Sequence, residues 1–572
     1  MSRPPRFTVA RIAPLLTAVL LLLAKPSLSA AKPIGDGPTK TNILYITIDD
    51  LNDWVGALQG HPQVQTPNID RLAEQGMLFT NAHCVVPACS GSRASNWTGL
   101  LPMKTGVYGN GQKLEQTNPD ASVLPEDLAA QGYYTMGTGK LIHGKSESYF
   151  DEYGPDYNKW RPILDDEKTI TAEELADSEP YVRHEIPRLG ITMPLNQMPR
   201  DRKPNSSTID SFDWGVIDRP ESEWTDTQSA DWAVEKLGEP YDQPFMLAVG
   251  FYRPHQPLWA PKKYHDMYPP ESVVLPEVLV DDLDDLSRTA QDLGRYALTS
   301  GRHDTTAENG QWRNAVSAYL ACISFVDAQL GKVLDALEAS EHADNTMIVL
   351  WSDHGWQLGE KEHWGKFTPW ERSTRVPLII APATNDTSIK FNASKPVRAP
   401  VSLLDVYPTV IEMLGLEQRP DLDGSSMVKL LAGDTADWKK GAISTVGRGT
   451  HTVRMWNWRY TRYFDGSQEL YDLKNDPQEW TNLIDDSAHA KTVKRLAKAI
   501  PDDPNYKHFV RYGDFKAVVP SDGSPLMLYG PKVEMFAEAK DVAQQYPVIT
   551  AKIEAFLKDH NGPEKHLNMD VL

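Results

Sequence analysis

Asn42-Ile-Leu-Tyr-Ile-Thr-Ile-Asp-Asp50 is a continuous apolar, β-type run that ends on two adjacent carboxylates. Working outward from it, 67–75 (PNIDRLAEQ) carries a helical pattern closed by Gly76, and 77–82 reads as another strand. The alternation continues: a helix near 125–131 with a strand at 133–137, a helix at 228–237 with a strand at 245–251, and a long helix from 311 to about 338 with a strand at 347–351. Such an order predicts an α/β fold with a large, mostly parallel sheet sandwiched by helices. Ligands of open sheets of this kind bind at the carboxyl ends of the strands, which is where the polar residues of interest fall.

Asp49 and Asp50 place two hard oxygen donors after the first strand, and Asp353-His354-Gly355 repeats the arrangement after the strand ending at Trp351. Two acidic strand ends meeting over one sheet edge predict a divalent-cation site. Carboxylate weighting favours Ca2+, while His354, a softer ligand, leaves Mg2+ or a transition metal open. Taken singly, each acidic group is also compatible with a solvated turn. Lys140 and His143 lie in Gly-Thr-Gly-Lys-Leu-Ile-His-Gly (137–144) after another strand, and the glycines allow close backbone approach. His255, in Tyr-Arg-Pro-His-Gln-Pro (252–257), again follows a strand and is held between prolines. Lys366 lies in His-Trp-Gly-Lys (363–366). Trp259, Trp364 and Trp370 are near these residues in sequence and are candidates for stacking on sugar rings, with the core as their alternative place.

Cys89 sits in Pro-Ala-Cys-Ser-Gly-Ser-Arg-Ala-Ser-Asn-Trp-Thr-Gly (87–99). A thiol just before a short helix gains from the positive end of the peptide dipoles, and Arg93, four residues on, shares its face. The stretch resembles the signature of the type I sulfatases, of the alkaline-phosphatase-like superfamily, in which a cysteine in C-x-P-S-R-x-x-x-x-T-G is oxidised to formylglycine. Cys89, Ser92, Arg93, Thr98 and Gly99 match, while Gly91 stands where the family has proline. Asp353 to Glu360, Trp364 to Lys366 and Thr374-Arg-Val-Pro are most similar to the iduronate-2-sulfatase branch, which also carries Asp-His. Glu469-Leu-Tyr-Asp-Leu, Asp476-Pro and Asn482-Leu are similar to the small domain that closes sulfatase chains.

The resemblance covers roughly 42–483 and implies roles residue by residue. Asp49, Asp50, Cys89, Asp353 and His354 would bind the cation, with Arg93, Lys140, His143, His255 and Lys366 completing the catalytic set. A formylglycine-generating enzyme is then a required partner. The implied chemistry is attack on sulfur by a hydrated aldehyde, oriented by Arg93 and Lys140, with Lys366 and His255 on the sulfate oxygens. His255 would protonate the leaving alcohol and His143 would accept the proton that regenerates the aldehyde.

Composition narrows the setting. Residues 1–30 carry Arg3, Arg6 and Arg11, an apolar run from Ile12 to Ala24 and small residues to Ala30, the pattern of a secretory signal peptide. An exported protein, periplasmic or extracellular, follows. No later segment reads as a membrane span. Losing Arg3, Arg6, Arg11 and Lys25 moves the formal charge from −20 to −24, so nucleic acid is excluded as a partner. Only Cys84, Cys89 and Cys322 occur, too few for a disulfide framework, and Cys84 and Cys322 are expected as buried thiols.

Two irregular stretches, 155–224 and 270–311, read as loop excursions, the first as a lid. The domain boundary is placed near Gly433, giving a catalytic domain over 31–433 and a C-terminal subdomain over 434–572. Thr452 to Phe464 with Gln468 to Leu473 forms its small antiparallel sheet, and the tail from 484 matches no known pattern. The leading substrate is a sulfated sugar or polysaccharide. Its rivals are an aryl or choline sulfate, a phosphate or phosphonate ester on the same fold, and a non-catalytic carbohydrate-binding homologue with Cys89 unmodified.

Overall fold

The structure is a computed structural model and describes residues 41–571 apart from 145, 177–182, 200–210, 298–300, 387–390, 392–394, 533, 539 and 561. The leader expected over 1–30 lies outside the described residues.

The main sheet is made from β1 (Asn42–Ile48), β2 (Met77–Leu78), β3 (Tyr134–Gly139), β4 (Glu152–Asp156), β5 (Phe245–Phe251), β6 (Thr346–Ser352) and β7 (Leu378–Ala381). Their spatial order is β2-β7-β6-β1-β5-β3-β4. All pairs from β6 to β4 are parallel, and β7 runs antiparallel between β6 and β2. β1 is central and fully buried, which is why its sequence shows no polar face.

Side chains alternate across that strand. Leu44, Ile46 and Ile48 join a core with helices α1 (Pro67–Gln75), α4 (Thr225–Leu237) and α5 (Trp312–Ala339). Ile43 and Tyr45 join the opposite core with α2 (Cys89–Thr98), α3 (Leu124–Ala130) and α6 (Val406–Met413). The sheet is therefore covered on both faces, as the alternation of elements predicts.

The stretch read as one strand over 77–82 is broken. After Leu78 the chain leaves β7, bridges Val397 through Phe79, and pairs again at Ala82–His83 with Arg375–Val376 and Val401–Ser402. Each partner in turn pairs with only one or two residues, so no single ladder forms. The lid expectation also changes: the described part of 155–224 is packed, with Trp160, Ile163, Ile186, Met193 and Phe212 in the main core. Asp213 fastens it, accepting from the Leu195 and Asn196 amides and from Trp259 Nε1 at 2.9 Å. The 270–311 stretch contains helices Arg288–Arg295 and His303–Glu308.

After Gly433 (φ +82°) the small antiparallel sheet begins, as a meander of β8 (Ala442–Thr445), β9 (His451–Met455), β10 (Trp458–Arg462) and β11 (Gln468–Asp472). The tail that sequence reading left without a pattern builds a second sheet from β12 (Tyr506–Tyr512), β13 (Phe515–Pro520), β14 (Met527–Tyr529) and β15 (His566–Asn568). No helix among the described residues is long and apolar enough to cross a membrane.

Candidate active site

The registers of β6, β1, β5 and β3 bring the four expected strand ends side by side. Ile48 pairs with both Ser352 and Phe251, and Gly139 with Gly250. The next residues are tied across: Asp49 N donates to Phe251 O, Asp353 N to Ile48 O, and Lys140 N to Gly250 O. Glycine is required where β3 meets β5, because a Cβ on Gly139 would lie 2.0 Å from Gly250 O and one on Gly250 2.2 Å from Lys140 O. That close approach delivers Lys140 beside Asp49. Asp50 turns away in the left-handed region at φ +60°, a strained conformation for a non-glycine residue. It is held there by Asp353 Oδ1, which accepts from Asp50 N at 3.0 Å, and by Tyr319 of α5, whose hydroxyl donates to Asp50 O at 2.7 Å.

Helix α2 points its first residue, Cys89, at this cluster, with Ala88 as its extended N-cap. Ser92 and Arg93 hold the helix in place: Ser92 Oγ donates to Asp353 O at 2.5 Å, and Arg93 Nε to Asp353 Oδ2 at 2.9 Å. Arg93 also reaches Asp49 Oδ1 at 3.4 Å and the carbonyls of Lys140 and Leu141. It is completely buried. Gly91 packs against Val86, whose side chain would lie 2.8–2.9 Å from any Cβ placed there. Val86 thus fills the space beside the position where the sulfatase signature has proline.

Around Cys89 Sγ stand Lys366 Nζ at 3.0 Å, His354 Nε2 at 3.3 Å, Lys140 Nζ at 3.7 Å and Asp50 Oδ1 at 3.9 Å. Lys366 Nζ also donates to Asp50 Oδ1 at 2.7 Å, and Lys140 Nζ to Asp49 Oδ2. Lys366 comes from a hairpin in which Gln357–Leu358 pairs with Trp364–Gly365, and its carbonyl is met by His363 Nε2 at 2.9 Å. His255 Nε2 faces Asp50 Oδ2 across 3.8 Å. His143 feels Lys140, Asp49, Lys366 and Arg93, and its buried Nδ1 has no hydrogen-bond partner. The structure therefore brings Asp49, Asp50, Cys89, Arg93, Lys140, His255, Asp353, His354 and Lys366 into one web, with His143 at its edge.

Burial sets the protonation of this web. It raises the Cys89 thiol, Asp49 adding to the effect, so the sulfur is a neutral thiol at neutral pH. It pushes Asp50 up to about 8, opposed by Lys366. Against the same penalty, Lys140 holds Asp49 down, and Arg93 holds Asp353 well below the carboxylate range. His255 is held neutral by burial, and His143 is lowered to about 3 for the same reason.

The donor set fits a divalent cation. Oxygen, nitrogen and sulfur atoms of Asp49, Cys89, Asp353 and His354 lie within 4.8 Å of one another, as do those of Asp49, Asp50, Cys89 and His255. Asp50 Oδ2 is buried with no hydrogen-bond partner, a state that costs about 1–3 kcal/mol unless a ligand takes the lone pair. His354 Nδ1 lies 3.0 Å from Gly355 O, an acceptor only, so Nδ1 carries the hydrogen and the Nε2 lone pair faces the cluster. With Asp50 ionised by the ion it would hold, three carboxylates balance Arg93, Lys140 and Lys366, so a bound divalent ion would leave the centre net positive and ready for an anion in a chain of charge −20.

A model of the sulfatase family matches residues 41–416, and a model described as N-sulphoglucosamine sulphohydrolase, C-terminal, matches 359–504. The chain belongs to the sulfatase family. It is a sulfuric ester hydrolase of the alkaline-phosphatase-like superfamily. It is 35% identical to a sulfatase of Formosa agariphila over 81% of this chain and 86% of that one. It is 27% identical to the iduronate 2-sulfatase of Mus musculus, covering 80% and 93% of the two chains. Among solved structures it is similar in fold to a 2-O GAG sulfatase, with a TM-score of 0.59, 22% identity and coverage of 80% and 90%.

In this sulfatase the structure decides between the two places open to the tryptophans and adds residues at the site. Trp259, Trp364 and Trp370 are at most 2% exposed and pack in cores, so none offers a face to a sugar. Their apolar area is worth more buried than displayed. Conversely, Tyr252, Tyr157 and Asp226 were not singled out. Lys140 Nζ lies 5.1 Å above the Tyr252 ring and 5.5 Å from that of Tyr157, and the two rings stack at 5.7 Å. Tyr252 stands three residues before His255 at the same strand end, a signal that was available in the sequence.

Proposed function

We propose that this sulfatase is exported and removes sulfate from a sugar or polysaccharide, using formylglycine made from Cys89 and a bound divalent cation, with Ca2+ as the first choice. The observation that carries the reading is the convergence of Lys366 Nζ, His354 Nε2 and Lys140 Nζ within 3.0–3.7 Å of Cys89 Sγ. That sulfur marks the place of the modified side chain's oxygens. The sugar is supported by relatives bearing the names iduronate 2-sulfatase, ulvan-active sulfatase and 2-O GAG sulfatase, and export by the leader pattern.

When present, the hydrated aldehyde supplies an oxygen nucleophile, and the cation, held by Asp49, Asp50, Asp353, His354 and position 89, lowers its pKa. The chain's own residues do the rest. Arg93 fixes Asp49 and Asp353 so that neither carboxylate drifts when charge builds up. Lys140 and Lys366 stabilise negative charge at position 89 and on the sulfate oxygens. His255 Nε2 delivers a proton to the departing alcohol; the bound sulfate's charge favours the imidazolium that burial alone opposes. His143, whose buried Nδ1 has no hydrogen-bond partner, is the acceptor for the proton that frees sulfate.

Mass spectrometry of the peptide containing Cys89, from the native host, tests the modification: the aldehyde or its hydrate is expected, and a fully retained thiol would overturn it. Sulfate release from defined sulfated oligosaccharides, beside an aryl sulfate, tests the substrate class. Release from the aryl ester alone would refute the sugar reading.

A further inference from the structure

We infer that Tyr252 is a positioning residue for His255, fixing the tautomer in which Nδ1 carries the hydrogen and Nε2 alone works on the substrate. The inference rests on the general-acid role proposed above for His255.

Three polar atoms form a closed triangle beside the imidazole. Tyr252 Oη lies 2.6 Å from His255 Nδ1 and donates to Gln256 O at 3.0 Å, and His255 Nδ1 lies 2.6 Å from the same carbonyl. A carbonyl only accepts, so a bare Nδ1 would set lone pair against lone pair at hydrogen-bond distance. The arrangement closes with one assignment: the phenol gives its single hydrogen to Gln256 O, and Nδ1–H is shared between that carbonyl and Tyr252 Oη.

Tyr252 is itself immobilised. Its amide and that of Arg253 donate to the two oxygens of Asp226, at 2.5 and 3.1 Å, and its ring lies parallel to Tyr157 at an interplanar angle of 9°. Burial among Asp49 and Asp50 keeps the phenol protonated. The far edge of the His255 ring then presents Nε2 to the space shared with Asp50 Oδ2, 3.8 Å away, where neither atom has a bond to the other. In the reaction, the oxygen nucleophile proposed at position 89 forms a bond to sulfur as the S–O bond to the leaving group breaks, and the electron pair of the broken bond goes to the leaving oxygen. The proton on Nε2 follows, leaving neutral imidazole with Nδ1–H still in the triangle. Nε2 regains a proton from water before the next cycle.

The test is Tyr252→Phe, which keeps the stacked ring and removes only the hydroxyl. An alkyl sulfate of a sugar needs a proton on its leaving oxygen, whereas a p-nitrophenyl sulfate departs as a stable phenolate. Expected is a fall in kcat of about tenfold on the sugar sulfate, less than about twofold on the aryl ester, and an unchanged melting temperature. Equal losses on both esters, or none, would overturn the assignment to Tyr252. His255→Ala is run beside it: equal losses there would overturn the general-acid reading itself, whatever Tyr252→Phe does. A measurement independent of turnover is 15N NMR of the imidazoles in the holoenzyme, where a His255 bearing hydrogen on Nε2 and not Nδ1 refutes the proposal outright.

Discussion

Two buried charge clusters in this chain are built to opposite specifications. In the C-terminal tail, Glu538 is 4% exposed and serves two cations: Oε1 accepts from Arg448 N at 2.9 Å and from Lys516 Nζ, and Oε2 from Arg448 Nη1 at 2.7 Å. Arg448 is further enclosed by the rings of Tyr108, Tyr506 and Tyr529. None of the three leaves a buried side-chain nitrogen or oxygen without a partner. At the strand ends, by contrast, Asp49, Asp50 and Asp353 crowd together, Asp50 is strained, and Asp50 Oδ2 and His143 Nδ1 are bare. A saturated network fixes a shape; an unsaturated one holds energy that a ligand can release. The two are joined, because Glu538 O accepts from Gln112 Nε2 at 3.2 Å and Gln112 O accepts from Ser90 Oγ at 2.7 Å, next to Cys89.

If that contrast is right, the clusters fail differently when cut. The largest effect belongs to Cys89→Ala, which is expected to lower sulfate-ester hydrolysis on the order of 10^4-fold or more while the melting temperature stays near that of the parent. Retained activity in that variant would remove position 89 from the mechanism. Glu538→Ala inverts the pattern. It strands two buried cations, so chemical denaturation is expected to show a loss of about 3–5 kcal/mol, and an unfolding midpoint equal to the parent's would show that the knot is not structural.

Ligand response separates them next. A divalent cation bound at the strand ends of the folded chain raises its stability by about 2.7 kcal/mol at a hundred times its Kd. Calcium titration followed by thermal shift should show this in the parent and not in Asp50→Asn, which weakens the donor set. An identical shift in both would place the ion elsewhere. Glu538, already saturated, should contribute nothing to the response.

The same contrast explains what was legible in the sequence. β1 and its two carboxylates could be read because a strand buried on both faces has to be apolar throughout, and Asp49 and Asp50 break that rule at its end. Gly139 and Lys140, His255 and Asp353 share the strand-end position, so the parallel sheet gathers them once the order of strands is known. The knot was not legible. Arg448, Lys516 and Glu538 are separated by 68 and 22 residues and sit at a turn, a strand and a loop with no common period. Nothing local distinguishes them from solvated surface charges. For Trp364 and Trp370 the sequence leaves a sugar-stacking place and a core place open for a related reason: proximity in sequence to Lys366 says nothing about which way an indole faces, and the structure puts both in the core.

The smallest effect concerns the one place where the signature and the structure part company. Gly91 lacks room for a Cβ because Val86 lies 2.8–2.9 Å from where it would sit, and Val86 belongs to the core that α2 packs on. Gly91→Ala gains helix propensity of about 1 kcal/mol but meets an overpacking cost of about 1–3 kcal/mol, so a net loss of about 1 kcal/mol is expected in denaturation. Val86→Ala in the same chain should remove the clash and recover the propensity term, making the double variant less destabilised than the sum of the two singles. A coupling of this sign would show that glycine at 91 answers to Val86. Strict additivity would mean that the loop before Cys89 gives way freely, and that the nucleophile's helix is held by Ser92 and Arg93 alone.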